Sequence, residues 1–332
     1  MNTAYPVIVS YDNLKSEFKR ILLKLSFSEE RAEICAKIFS DNSRDGVYSH
    51  GINRFPVFVN YVKQGFIHVA AEPKLLEQNG PMEKWDGQLA PGMYNATLAM
   101  DRAITLAKSN GIGCVVLKNT NHWMRGGTYG WQAADAGCIG ICFSNTIANM
   151  PPWGGREPRL GNNPLVIAVP RNQGHIVLDM AMTQFSYGKL QEYDLKRQML
   201  PVPGGYDDSG NLTTNPADIM KSQRPLPVGF WKGSGLSFML DVLLTALSGG
   251  RTTAEITNSG HETGLSQCFL CLYQHSYSSS LIEEILQYSK SGMNAPGSTV
   301  LYPGERTLAT RQKNMSSGIP VNEKIWSAML EM

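Results

Sequence analysis

Gly111-Ile112-Gly113-Cys114-Val115-Val116 decides which kind of α/β protein this chain can be. A Rossmann domain carries G-x-G-x-x-G at a strand-to-helix turn, where the third glycine packs helix against strand. Gly111 and Gly113 supply the first two positions, but Val116 stands at the third. The glycines also lead into an apolar run, Gly113 to Leu117, that reads as a strand rather than a helix. No G-x-x-x-x-G-K-[ST] occurs either, so a dinucleotide would have to be held some other way. Upstream, Ala96 to Ser109 reads as a helix closed by Gly111. Downstream, Ile139 to Phe143, Leu165 to Val169 and Ile176 to Met180 are strand-length apolar runs bounded by Gly, Pro and Asn. Strands mixed with helices predict an α/β or α+β domain.

The amino-terminal part is different. Leu14, Phe18, Ile21, Leu22 and Leu25 form one helical stripe. Ser28, followed by Glu29 and Glu30, marks the start of a second helix, whose stripe continues through Cys35, Ile38 and Phe39. Phe55, Phe58, Val59 and Val62 mark a third, with Gly65 placed to end it. Leu236 to Leu247 reads as a buried helix, Gln267 to Tyr273 as a buried strand, Ser276 to Ser280 as a loop, and Asn322 to Leu330 as a last helix.

The 332 residues suggest about two domains, at roughly 100–200 residues each. Charged residues are 17% of the chain, below the usual ~25%, which argues against disorder and hints at surface covered by a second subunit. Thirty Lys and Arg against 28 Asp and Glu give +2, too balanced for a nucleic-acid footprint. No apolar run has the length of a membrane span, and Met1-Asn2-Thr3-Ala4-Tyr5-Pro6 has neither a basic nor an apolar leader region. The expectation is a cytoplasmic globular protein. Cys268-Phe269-Leu270-Cys271 is the single C-x-x-C; strand alternation would send the two sulfurs to opposite faces, as core residues rather than ligands.

Four short segments can carry chemistry. In Ser49-His50-Gly51-Ile52-Asn53-Arg54, His50 and Arg54 are four apart. On a helix they would share a face, Arg54 clamping a carboxylate with two hydrogen bonds and His50 protonating an adjoining carbonyl, since imidazole titrates near working pH. A capped helix start with a surface ion pair is the plainer alternative. Asn119-Thr120-Asn121-His122-Trp123-Met124-Arg125-Gly126-Gly127-Thr128-Tyr129-Gly130 follows a strand; His122 can hydrogen-bond a carbonyl there, or the segment is a glycine-rich turn. Trp231-Lys232-Gly233-Ser234-Gly235 opens the helix at Leu236, as a phosphate cradle or an ordinary cap. Tyr302-Pro303-Gly304-Glu305-Arg306 is a further glycine turn with a cation. Asp207-Asp208-Ser209-Gly210 lacks calcium-loop spacing and reads as a turn.

Taken together, residues 46–56, 121–134, 150–154, 161–165, 185–188 and 229–235, spread along the chain in order, resemble the malate/L-lactate dehydrogenase family that is unrelated to the Rossmann dehydrogenases. The similarity is strongest to a branch that reduces 2,3-diketo-L-gulonate to 3-keto-L-gulonate. The resemblance implies a helical domain from both termini (residues 1–72 and about 285–332) around a central α/β domain (73–284) whose sheet is largely not parallel. It implies NAD, with NADH favoured over NADPH, bound partly across a homodimer interface, and no metal. By position, His50 matches the proton donor, and Ser49, Arg54 and His122 match residues lining the substrate. His175, Ile176, Val177, Leu178, Asp179, Met180 and Ala181, then Trp231, Lys232, Gly304, Glu305 and Arg306, match the cofactor contacts. A sugar-acid tail would need further donors, for which Thr120, Asn121, Ser144 and Asn145 are candidates. Malate, lactate, a ureidoglycolate-like acid or a cyclic imino acid remain open, because each joins a carboxylate to a C–O or C–N centre. Rivals of another class are a metal-dependent lyase or hydrolase using His50, His122 and Asp179, and a sugar-acid binding protein without activity.

Overall fold

The computed structural model describes Val7 to Met332, so the Met1 to Pro6 segment read above for a leader lies outside the described residues. The chain enters as β1 (Val7–Val9), followed by α1 (Tyr11–Lys24), α2 (Glu29–Arg44) and α3 (Phe55–Lys63). Next come the hairpin β2 (Lys74–Asn79) and β3 (Met82–Asp86), then α4 (Gly92–Asn110), β4 (Ile112–Thr120) and α5 (Gly127–Asp135). Three strands follow: β5 (Ile139–Ser144), β6 (Leu165–Val169) and β7 (Ile176–Met180). An excursion carries α6 (Tyr187–Leu195), β8 (Gly205–Tyr206), β9 (Leu212–Thr213) and α7 (Pro216–Ser222). The rest is α8 (Trp231–Ser248), α9 (Thr253–Asn258), β10 (Leu265–Leu272), α10 (Ser279–Lys290), α11 (Glu305–Ser317), β11 (Ile319–Val321) and α12 (Glu323–Leu330).

Seven strands form one sheet in the order β2-β3-β4-β10-β5-β6-β7. Only β3 and β4 run parallel; every other neighbour in that sheet is antiparallel. A doubly wound nucleotide fold requires successive parallel strands, so this arrangement agrees with Val116 in place of the third glycine. Gly111 closes α4 at φ +80° and the chain passes directly into β4.

Local signals account for the helical layer. Ser28 accepts from the Arg31 N–H at the head of α2, and Asn322 caps α12 by accepting from Lys324 and Ile325. β1 pairs antiparallel with β11, which brings the two ends of the described chain together. The stripe of α1 meets α2 and α3 through Phe18, Phe39, Phe55 and Phe58, whose rings lie 4.5–6.5 Å apart. That cluster is continuous with Val115 and Phe269 of the sheet and with Trp123 in the loop after β4, so helical layer and sheet share one core. Cys268 packs with Val116 and Leu244 on one face of β10, while Cys271 joins the main core on the other, as alternation requires.

Two expectations are corrected. The Ser276 to Ser280 loop gives way to α10 at Ser279. The helix at Leu236 begins earlier, at Trp231, and is buried on one side only: Leu240 and Leu244 are covered while Phe238, Met239, Val242 and Leu243 are 42–56% exposed. An all-apolar helix has no polar face to tell its inner from its outer side. Among the described residues, no helix is long and apolar enough to cross a membrane.

Candidate active site

The segment carrying His50 and Arg54 is not a helix. His50 ends one 3-10 turn, Tyr48–His50, and Arg54 ends another, Ile52–Arg54, with Gly51 between them at φ −110°, ψ −127°. The expected shared face needs continuous helical dihedrals, and Gly51 interrupts them. The end of α2 fastens this segment instead: the Asn42 amide donates to the His50 carbonyl (2.9 Å), and the Ile52 N–H donates to Ser43 Oγ (2.9 Å).

His122 follows β4 on a loop held by Asn121, whose amide donates to the carbonyls of Leu89 (2.7 Å) and Ala90 (3.1 Å). The Met124 N–H donates to His122 Nδ1 at 3.0 Å, so the neutral ring carries its proton on Nε2. The rings of His50 and His122 face each other, centroids 5.8 Å apart and 22° from parallel, and Ser49 Oγ lies 3.1 Å from His50 Nδ1. Burial, then the charge of His122, pushes the His50 imidazole down to about 3, against the pull of Asp179. Burial, then Arg54, pushes His122 to about 3 as well. Burial therefore favours the neutral form of both rings in the free protein, below the ordinary imidazole range assumed from the sequence.

The two histidines border a cleft of about 540 Å³, together with Ser49, Val177, Leu178, Asp179, Ala181 and Gly304. Other residues named for the cofactor lie outside it. Ile176 and Met180 of β7 do not border it. His175 points away, its Nε2 2.8 Å from Asp135 Oδ1. Glu305 pairs with Lys290 at 2.6 Å, and Arg306 is exposed. Trp231 is 65% exposed with the Lys232 ammonium 6.0 Å from its ring; both belong to the first turn of α8, and the expected cradle is absorbed into that helix. Of the proposed tail donors only Ser144 borders the cleft. The amides of Asn121 and Asn145 and the hydroxyl of Thr120 are engaged with protein groups.

Arg54 does not reach the cleft. It borders a separate chamber of about 20 Å³ behind His122 and Met124, its Nη2 3.4 Å from Glu262 Oε2. Sequence reading missed Glu262, which is 208 residues away from Arg54, and Arg125, which stood in the quoted glycine-rich cluster without a role. Arg125 is a wall of the cleft and donates to Asp179 (3.1 Å), Asp45 (3.0 Å) and Thr307 (3.4 Å). Burial alone would raise the Asp45 carboxyl; hydrogen bonding to Arg311 and the charges of Arg125 and Arg44 overcome it and hold Asp45 below its ordinary range. No short-range spacing announces such partners. Thr146 also borders the cleft, as do Asn162, Ser186 and Tyr302, which stood in the quoted segments without a role of their own.

Ser186 caps α6, and the second residue of that helix seals the His50 turn: a Cβ on Gly188 would lie 2.6 Å from Ser49 Cβ. Gly188→Ala is expected to displace Ser49, loosen its contact with His50 and cost about 1–3 kcal/mol as overpacking. Thermal melts against wild type check the cost, and an unchanged Tm would refute the close contact.

The sequence of the whole chain matches the family model described as malate/L-lactate dehydrogenase over residues 9–330. The chain belongs to the malate/L-lactate dehydrogenase family. Among relatives in that family, the protein of Pasteurella multocida named 2,3-diketo-L-gulonate reductase is 46% identical, covering 96% of this chain and 98% of its own length. That of Haemophilus influenzae with the same name is 44% identical over 97% and 98%. Among solved structures, sulfolactate dehydrogenase from Methanocaldococcus jannaschii superposes with a TM-score of 0.89 at 30% identity, covering 98% of this chain and 96% of that one. Malate dehydrogenase from Entamoeba histolytica gives 0.92 at 25%, over 98% and 97%.

A malate/L-lactate dehydrogenase family member has a nicotinamide cofactor to accommodate, and the cleft has suitable chemistry. Gly304 is the N-cap of α11 at φ +96°, and a Cβ there would meet the Val177 nitrogen at 3.1 Å and the His175 carbonyl at 3.3 Å. Glycine thus lets the helix start lie directly on β7. Gly304 and Thr307 both border the cleft, so the first turn of α11 presents its positive end to the cleft, where it would favour a phosphate. Val177, Leu178, Leu265 and Leu301 add an apolar wall.

Proposed function

We propose that this chain reduces the C2 carbonyl of 2,3-diketo-L-gulonate to the alcohol, giving 3-keto-L-gulonate, with NADH as reductant. The observation that carries the reading is the pair of facing imidazoles at the cleft, in a chain 46% identical to a reductase of that name. Val177, Leu178, Asp179, Ala181 and Gly304 would hold the nicotinamide cofactor, which supplies hydride to the carbonyl carbon. Trp231 and Lys232, exposed on α8, are read as contacts across a subunit boundary; His175, Ile176, Met180, Glu305 and Arg306 lie outside the cleft and are given no role in this reading.

Arg54, in the chamber behind His122 and Met124, is the guanidinium read as receiving the substrate carboxylate, which must extend past those two residues to meet it. His122 donates from Nε2 to the carbonyl oxygen. His50 delivers the proton that turns this oxygen into a hydroxyl, and Ser49 steadies its ring. An anion entering the site favours the imidazolium, so His50 takes up its proton as the substrate binds. The reading makes the chain a cytoplasmic enzyme of sugar-acid catabolism.

A panel of 2,3-diketo-L-gulonate, oxaloacetate, pyruvate and a cyclic imino acid, followed at the nicotinamide absorbance band with NADH and NADPH, tests it. The diketo acid with NADH should have the highest kcat/KM. A higher value for oxaloacetate or pyruvate would replace the substrate, and preference for NADPH would replace the cofactor.

The protein is read as a homodimer closed over α8, whose outer face carries Phe238, Met239, Val242 and Leu243 beside Trp231. Such a row is what a stable interface buries. Val242→Arg should convert the sedimenting species from dimer to monomer; a wild-type monomer at micromolar concentration would refute the interface.

A further inference from the structure

An anionic substrate needs a cation, yet both guanidinium groups near the histidines are already paired with carboxylates. Arg125 is 7% exposed and makes three hydrogen bonds, to Asp45, Asp179 and Thr307. No lysine and no other arginine lines the cleft among the described residues. Arg54 is 32% exposed and has a single long contact, 3.4 Å, with Glu262. At Arg54 a substrate carboxylate has only Glu262 to compete with, so Arg54 is where exchange breaks least.

We propose that Glu262 occupies the anion seat on Arg54 in the free protein and is replaced there by the substrate carboxylate. Three observations support it beyond the ion pair. Glu262 is a mostly covered carboxylate, its side chain 14% exposed, in a chamber that shares His122 and Met124 with the cleft. Burial raises its carboxyl against the pull of Arg54 and the Ile147 N–H, so its charge is weakly held. It sits in the link between α9 and β10, flanked by Gly260 at φ +76° and Gly264 at φ +70°, two residues free to re-orient that link. The link runs straight into Leu265, a wall of the cleft. Glu262 is thus a positioning residue that sets substrate affinity through Arg54, and the inference rests on the role given to Arg54 above.

Oxalate binding, measured by calorimetry, tests it without turnover. Glu262→Gln should bind oxalate roughly five- to tenfold tighter than wild type, the size of a partly buried ion pair, and Arg54→Met should lose the binding. In steady state, Glu262→Gln should lower KM for the keto acid by a similar factor with kcat within about twofold. Glu262→Asp, whose shorter arm retreats from Arg54, should shift both in the same direction and serves if the first variant does not fold. Unchanged or weaker oxalate binding in the Glu262 variants overturns the exchange, as does a loss of kcat at constant KM. Should wild type reduce no keto acid while Glu262→Gln still tightens oxalate, the exchange stands and the reductase reading falls.

Discussion

His50→Ala should lower kcat for keto-acid reduction by roughly 10²–10⁴-fold, the usual worth of a positioned proton donor. His122 and Arg54 remain in that variant, so substrate still binds and KM should change little. The pH profile separates loss of a proton donor from loss of packing. Because the folded-state pKa of His50 is lowered to about 3, its charged form is scarce in the free protein at neutral pH. Its population falls as pH rises, so wild-type kcat/KM for reduction should fall with a slope approaching tenfold per pH unit. Alcohol oxidation needs the neutral ring as base and should lack that slope. In His50→Ala the slope should vanish. Turnover near wild type, or an unaltered pH profile, would remove His50 from the role.

Arg125→Met should produce the largest loss of stability, about 3 kcal/mol, seen as a fall in Tm of several degrees. Met has nearly the volume of the lost side chain, so the cost is electrostatic. Asp45 is 3% exposed and keeps Arg311 at 2.7 Å, but Asp179 loses its guanidinium partner. The Asp45 carboxyl is depressed in the folded state, so its contribution is present above the ordinary carboxylate range and is lost as pH falls through the folded value. The gap between wild type and Arg125→Met should accordingly narrow in strong acid. Since Asp179 also faces the cleft, kcat should fall too. A variant as stable as wild type would show that the buried network contributes no net stability.

How the sequence could be read follows from the range of each signal. The stripe Leu14, Phe18, Ile21, Leu22 and Leu25 depends on neighbours within one helix; the first four became the buried face of α1, and Leu25 is its half-buried C-cap. The caps at Ser28 and Asn322 act over three residues. The family motifs are runs of consecutive residues, which is why Ser49, His50 and His122 are legible together in the sequence. Arg54 illustrates the limit. Its four-residue distance from His50 was right, but the geometry assumed a helix that Gly51 does not permit. α8 illustrates another, because hydropathy reports that a side chain avoids water and not whether its own chain or a second copy covers it.

From sequence alone came the rejection of a Rossmann fold, the strands β4 to β7 and the histidines of the cleft, since turns, periodicity and motif order are written locally. Tertiary structure alone decided that Arg125 joins Asp45 to Asp179, that Glu262 sits on Arg54, and that burial pushes both imidazoles toward their neutral form. Those are matters of through-space Coulomb energy and burial, summed over residues that only folding brings within a few ångströms of one another.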